Sequence, residues 1–326
     1  MAGGGTQRIT RMPVSPAHIV TDAANLGFAL FLLLLTLFFH GRILRPGDTI
    51  ASCLTAVVLY GAMMLWLRSA RPGPAAILIY SAAVLLMTTS FFEIVGNMQH
   101  LILPGWEDNR LIGLEEAVLG APASVWLEPY VSHPLTEAMM FGYVAYVPLL
   151  PVTALLCLRS GGVQAAEDYL LNLTLVNIAC YLGFMAFPAA GPVYGIHFSA
   201  PLGGGVFTWC ADWIRSHAHY AGGSLPSPHC AAATVMAVML FRHARRAFYI
   251  ILPVILMLYM ATVYGRFHYV ADSVAGVLTA LVVLRVSPLA GKVVEFVRGL
   301  RFGTAAVRQQ PVAEPVRGDM PPNKAN

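Results

Sequence analysis

Stretches of about twenty apolar residues recur along this chain, and each is long enough to cross the roughly 30 Å hydrocarbon core of a bilayer as a helix. The run from Leu26 to Phe39, for instance, contains neither a charge nor a proline. Composition supports the same class: 57% of the residues are hydrophobic and only 11% charged, with a mean hydropathy of +0.67, far from the soluble range. The expectation is an all-α integral membrane protein, a polytopic bundle of about eight transmembrane helices.

The spans are predicted near 24–41, 49–67, 75–95, 136–157, 169–187, 228–241, 247–265 and 269–287. The sixth is short for a crossing, so it either extends from Pro226 or sits sheltered inside the bundle. Short loops rich in Lys and Arg stay in the cytoplasm, and with eight spans this puts both termini inside. Only Arg42, Arg45, Arg110, Arg215 and Arg266 of the 20 basic residues then fall outside. The expected location is a cell membrane, inner or plasma, with the loop before His229 and the turn before His268 facing outward.

Residues 1–21 are Gly-rich and polar and lack the apolar stretch of a cleavable signal peptide. They are expected to be a disordered cytoplasmic segment. Residues 22–74 hold the first two predicted spans, and 75–288 the other six. The tail, 289–326, is basic and largely disordered, with Gly291–Phe302 spaced as a helix on the membrane surface. Two outer loops exceed what a connection needs. One, near 96–137, holds the amphipathic run Leu111 to Leu119, read as an interfacial helix that roofs the outer side; the other, near 188–227, holds Trp209, Trp213, Arg215, His217 and His219. Of the five cysteines, Cys210 and Cys230 flank the loop into His229, where either a disulfide or two free thiols are open.

Two segments carry chemistry. Leu225-Pro-Ser-Pro-His229 precedes one span, and Tyr264-Gly-Arg-Phe-His268-Tyr-Val-Ala-Asp272 leads into another. Ionisable residues within apolar spans are costly and mark function. Phosphoester cleavage needs one group to attack phosphorus and another to protonate the departing alkoxide; His268 and His229 suit those two tasks. Asp272 follows His268 by four residues, which on a helix shares a face and lets the carboxylate hold one imidazole nitrogen. Arg266, Arg215 and the backbone around Ser227 are the candidates to meet charge on the phosphoryl oxygens.

These residues resemble the type 2 phosphatidic acid phosphatase superfamily, and within it the branch of inositol phosphorylceramide synthases and their bacterial relatives. Ser224-Leu-Pro-Ser-Pro-His229 is similar to the family's proline-serine-x-histidine motif, and His268 to Asp272, followed by Gly276, to its closing histidine-x-x-x-aspartate motif. Weaker likeness extends through Phe187-Pro-Ala-Ala-Gly-Pro-Val-Tyr194 and the region from Leu114 to Tyr146. The resemblance covers roughly 75–288 and implies that this stretch is a six-helix catalytic membrane domain with 22–74 as two accessory helices, a phosphohistidine on His268, general acid work by His229, orientation of His268 by Asp272, and no metal or other cofactor. Three departures bear on phosphate binding: Pro228 stands where many relatives have Gly, the family's lysine-containing first motif is missing, and Thr262 occupies a position where phosphatases carry arginine.

The function expected is a lipid phosphatase or phospho-headgroup transferase acting on a phosphorylated lipid, with the bilayer as its other partner. Two other classes stay open. One is a catalytically idle relative that binds or moves lipid; the other is a metallohydrolase using His229, His268 and Asp272 as ligands. No long basic segment in the outer loops points to nucleic acid, and the oligomeric state is not legible.

Overall fold

The computed structural model describes residues 15–69, 74–217 and 221–308. It contains twelve α-helices and, among the described residues, no strand. They are α1 (Pro16–Phe38), α2 (Pro46–Ser69), α3 (Pro74–Gly96), α4 (Asp108–Leu119), α5 (Ala123–Trp126), α6 (His133–Val144), α7 (Tyr146–Ala186), α8 (Pro192–Gly195), α9 (Val206–His217), α10 (Pro228–His243), α11 (Arg245–Tyr264) and α12 (Val270–Arg308). Six are long and apolar enough to cross a membrane: α1, α2, α3, α7, α11 and α12.

Helix α7 accounts for two passes. Its 41 residues correspond to about 60 Å if straight, twice the bilayer core, but Gly162 breaks it at φ 74° and ψ −170°. Beyond the break the chain runs back, and the Tyr169 hydroxyl donates to the Leu150 carbonyl at 3.1 Å. The first arm continues α6 almost without interruption, since Leu149 N–H bonds Ala145 O. Helix α10, with 16 residues, is too short to face lipid alone. It is sheltered, packed against α7, α11 and α12, with Ala231, Ala232, Ala233, Val235 and Met236 fully buried. Both arms of α7 and the enclosed α10 complete the eight segments expected from the sequence.

The start of the chain departs from expectation. Ser15 accepts from His18 N–H at 3.1 Å and Pro16 takes the first helical position, a strong helix start. Residues 16–21 are therefore helical where disorder is predicted, and 1–14 lie outside the described residues. The segment 291–302 is a continuation of α12, which runs to Arg308; the remaining tail, 309–326, lies outside the described residues.

A polar cluster binds α1, α2, α3 and α7 together. His18 Nδ1 lies 3.0 Å from Glu167 Oε1, its Nε2 lies 3.3 Å from Asp22 Oδ2, and its ring stacks on Tyr80 at 4.0 Å. The Tyr60 hydroxyl donates to Asp22 Oδ1 at 2.7 Å. Groups that are expensive in an apolar setting are thus satisfied by one another. Nearby, Pro16, Gln164, Asp168, Arg242, Pro288 and Lys292 line a cavity of about 380 Å³. One end of the bundle therefore gathers the start of α1, the α7 turn, the end of α10 and the basic part of α12.

Candidate active site

At the start of α10, Ser227 is the N-cap, its hydroxyl accepting from Cys230 N–H, and Pro228 is the first helical residue. The proline needs no backbone donor there, and it fixes His229 in the first turn. His268 arrives from the junction of α11 and α12. There the Thr262 carbonyl accepts from both Phe267 N–H at 3.1 Å and His268 N–H at 3.0 Å, and Arg266 adopts a left-handed φ of 64°, uncommon for a residue with a Cβ.

His268 Nε2 faces His229 Nδ1 at 3.3 Å. The other nitrogen, Nδ1, lies 3.0 Å from the backbone carbonyl of Ser224. A carbonyl can only accept, so the proton sits on Nδ1 and the lone pair on Nε2. Asp272 Oδ2 is 3.7 Å from Nδ1, too long for a hydrogen bond, and the Ser224 hydroxyl fills the gap. It is 3.2 Å from Nδ1 and donates to Asp272 Oδ2. The four-residue spacing brings His268 and Asp272 together, but not along a helix, because α12 begins only at Val270. Asp272 instead lies in the first turn and accepts from Tyr269 N–H at 2.9 Å. It is fully buried, and its Oδ1 has no hydrogen-bond partner among the described residues.

Acids of α4 hold this turn. Asp108 accepts from Ala190 N–H and Gly191 N–H, both at 2.8 Å, and from the Tyr269 hydroxyl at 3.0 Å. Glu115, seven residues later on the same face of α4, accepts from Val270 N–H, which satisfies an orphan donor at the start of α12. The predicted run Leu111 to Leu119 is helical within α4, yet these two acids are buried in the protein. Gly191 has φ 98°, and a Cβ there would stand 2.6 Å from the Phe267 carbonyl oxygen; glycine permits that approach.

The remaining predicted ligands are placed as follows. The Arg266 side chain is buried; its Nη2 donates to Ala200 O at 2.6 Å, lies 3.9 Å from Glu128, and the guanidinium covers the Phe198 ring at 3.8 Å. Glu128 also accepts from Ala200 N–H and the Ser199 hydroxyl, and these bonds hold its carboxyl below the usual carboxylate range. A phosphate role for Arg266 requires release from these partners. Arg215, on α9, is exposed and pairs with Asp212 at 2.8 Å. Ser227 is wholly buried. His217 ends α9, and His219 lies outside the described residues. Cys210 and Cys230 are both free thiols.

Fold and site together define a polytopic helical protein suited to a membrane, with a buried histidine, His268, facing a half-buried one, His229, and backed by a carboxylate. A family model described as the PAP2 superfamily matches residues 109–286, more than half of the 326 residues. The chain belongs to that superfamily, whose members generally hydrolyse phosphoric esters. The match starts in α4 and ends in α12, leaving α1, α2 and α3 outside it. No curated protein and no solved structure matches the chain.

Proposed function

We propose that this protein is a membrane enzyme that removes or transfers a phosphoryl group or phospho-headgroup carried by a lipid, through a phosphohistidine on His268. The observation that carries the reading is the 3.3 Å approach of His229 Nδ1 to His268 Nε2, with Nδ1 of His268 already committed to Ser224. The Nε2 lone pair attacks phosphorus and a P–N bond forms. The bond from phosphorus to the leaving oxygen breaks, and His229, in its protonated form, gives that oxygen its proton. The phosphorylated imidazole still bears a proton on Nδ1 and is cationic; the buried Asp272 carboxylate offsets this charge. Water or a lipid or polyol hydroxyl then attacks phosphorus, passes its proton to His229, and the P–N bond breaks.

A lipid substrate fits a cavity of about 380 Å³ lined by Leu119, Trp126, Leu135, Met139, Met260 and Val270, two residues along the chain from His268 and almost wholly apolar. The bias of basic residues toward the opposite end of the bundle supports an extracytoplasmic site with both termini in the cytoplasm. In this reading residues 75–288 are the catalytic unit and α1 and α2 are accessory. The motifs resemble those of inositol phosphorylceramide synthases and their bacterial relatives, which favours the transferase outcome without fixing the headgroup.

The test is phosphate release from a panel of lipid phosphates and phospholipids by the purified protein in chelator, beside His268→Ala, with lipid products identified by mass. Free phosphate that disappears in the variant identifies a phosphatase. A new headgroup-bearing lipid without free phosphate identifies a transferase. Turnover by His268→Ala equal to that of the wild type sinks the mechanism.

A further inference from the structure

We propose that the hydroxyls of Tyr143 and Tyr146 are the donors that grip the non-bridging phosphoryl oxygens; this rests on the phosphoryl-transfer reading above. Charge on those oxygens must be met by preorganised donors, and the basic candidates are occupied. Arg266 donates to Ala200 and approaches Glu128, Arg215 is paired with Asp212 at the surface, and the Ser227 side chain caps α10 in full burial.

Two phenol rings stand beside His229. The His229 ring lies 4.9 Å from the Tyr143 ring and 4.7 Å from that of Tyr146. Tyr143 is fixed from its other side by Phe267, stacked at 4.1 Å and 17°. Residues 143 and 146 straddle the junction of α6 and α7, and Ala145, in right-handed helical conformation, keeps the two rings on one face at helical spacing.

Their hydroxyls differ from those of the other enclosed tyrosines. Tyr60 and Tyr80 donate to Asp22, Tyr169 to Leu150, Tyr181 to Thr88 and Tyr269 to Asp108. Tyr259 and Tyr264 are bonded to Thr234 and Thr136. Among the described residues, neither Tyr143 nor Tyr146 has a hydrogen bond at its hydroxyl, and both side chains are half-buried. Neither hydroxyl is sealed off from solvent, so two unpartnered phenols flanking the general acid are open to a ligand that enters beside it. A phenol is a neutral donor at neutral pH, and two of them fit a site whose candidate cations, Arg266 and Arg215, are engaged with other partners.

The substitution Tyr→Phe removes the O–H and keeps the ring packed on His229 and Phe267. Wild type, His268→Ala and the double variant Tyr143→Phe/Tyr146→Phe are compared for thermal stabilisation by orthovanadate, an anion of phosphoryl shape, and for turnover on the lipid panel. The double variant is expected to need at least about tenfold more vanadate for the same stabilisation, to lose about 10²-fold or more in kcat, and to melt unliganded where the wild type does. That last readout separates a lost donor from a lost fold. Vanadate response and kcat indistinguishable from wild type in the double variant, with His268→Ala inactive, overturn the donor assignment alone. A wild type that vanadate does not stabilise, or a fully active His268→Ala, overturns the phosphoryl-transfer reading and the donors with it.

Discussion

The hydroxyl of Ser224 stands between the imidazole of His268 and the carboxylate of Asp272, 3.2 Å from Nδ1 and bonded to Oδ2. The same residue presents its backbone carbonyl to Nδ1 at 3.0 Å. One serine thus fixes the tautomer of His268 through its main chain and transmits the carboxylate through its side chain. Asp272 in turn accepts Ser227 N–H through its own carbonyl at 2.9 Å, which ties the start of α10, and with it His229, to the start of α12.

Replacing Ser224 with Ala separates the two functions, since the carbonyl stays and the bridge goes. Asp272, already with one unpartnered oxygen, then loses a further bond in full burial. We expect a loss of about 1–3 kcal/mol in stability and a fall in kcat of roughly tenfold to a hundredfold, with KM little changed. Thermal unfolding and steady-state kinetics on a lipid turned over by the wild type measure both. An unaltered kcat contradicts the relay.

Asp108 is the second lever on the same turn. Its carboxylate accepts from two backbone N–H groups and the Tyr269 hydroxyl. Asp108→Asn preserves shape but turns an amide N–H₂ toward donors. The predicted loss is about 1–3 kcal/mol, with His268 displaced and activity down. Tyr269→Phe removes a single one of the three bonds and is expected to do less. Equal effects from the two variants contradict the assignment of Asp108 as the hub.

The membrane spans were legible because continuous apolar stretches need no partner to be recognised, and even the short sixth segment signalled its shelter by its length. His229, His268 and Asp272 were legible as motif residues. What joins them was not. Asp108, Glu115 and Glu128 sit in a segment that reads as an outer roof, and nothing in an acid's identity tells whether it meets water or caps a backbone more than seventy residues away. The seven-residue spacing of Asp108 and Glu115, which shares one helical face, was the available signal. The link from His268 to Asp272 runs through Ser224 because the helix begins two residues after His268, and helix starts are poorly marked when a tyrosine serves as cap. The cluster around His18 was hidden by the break between a polar leader and an apolar span, where Ser15 and Pro16 were the overlooked start signal.

Gly191 offers a backbone test. At φ 98°, with a Cβ that would press on the Phe267 carbonyl at 2.6 Å, Gly191→Ala combines strain with a clash against main chain. We expect a loss of about 1–3 kcal/mol together with reduced turnover, because Phe267 adjoins His268. Gly113→Ala is the control: nothing lies within 4 Å of its added Cβ, so this change on α4 is expected to be neutral or to stabilise by about 0.4–1 kcal/mol. Differential scanning measurements on the pair settle the comparison.

Glu128 gives the site a dependence on acid. Its carboxyl is held below the usual range by Ala200 N–H first, with Ser199 and the Arg266 charge adding to it. A depressed folded value means that the contribution to order is present above the unfolded value of about 4.3 and is lost as pH falls through the folded one. Protonation therefore loosens the loop at 198–200 and frees Arg266 from its acid. We expect the Ala200 amide to show a high hydrogen-exchange protection factor near neutral pH, to lose it as the carboxyl protonates in acid, and to lack it at neutral pH in Glu128→Ala, which has no acceptor for it. Equal protection in wild type and variant at neutral pH is the outcome that breaks the link, because the amide would then owe its order to something other than the carboxylate that Arg266 shares.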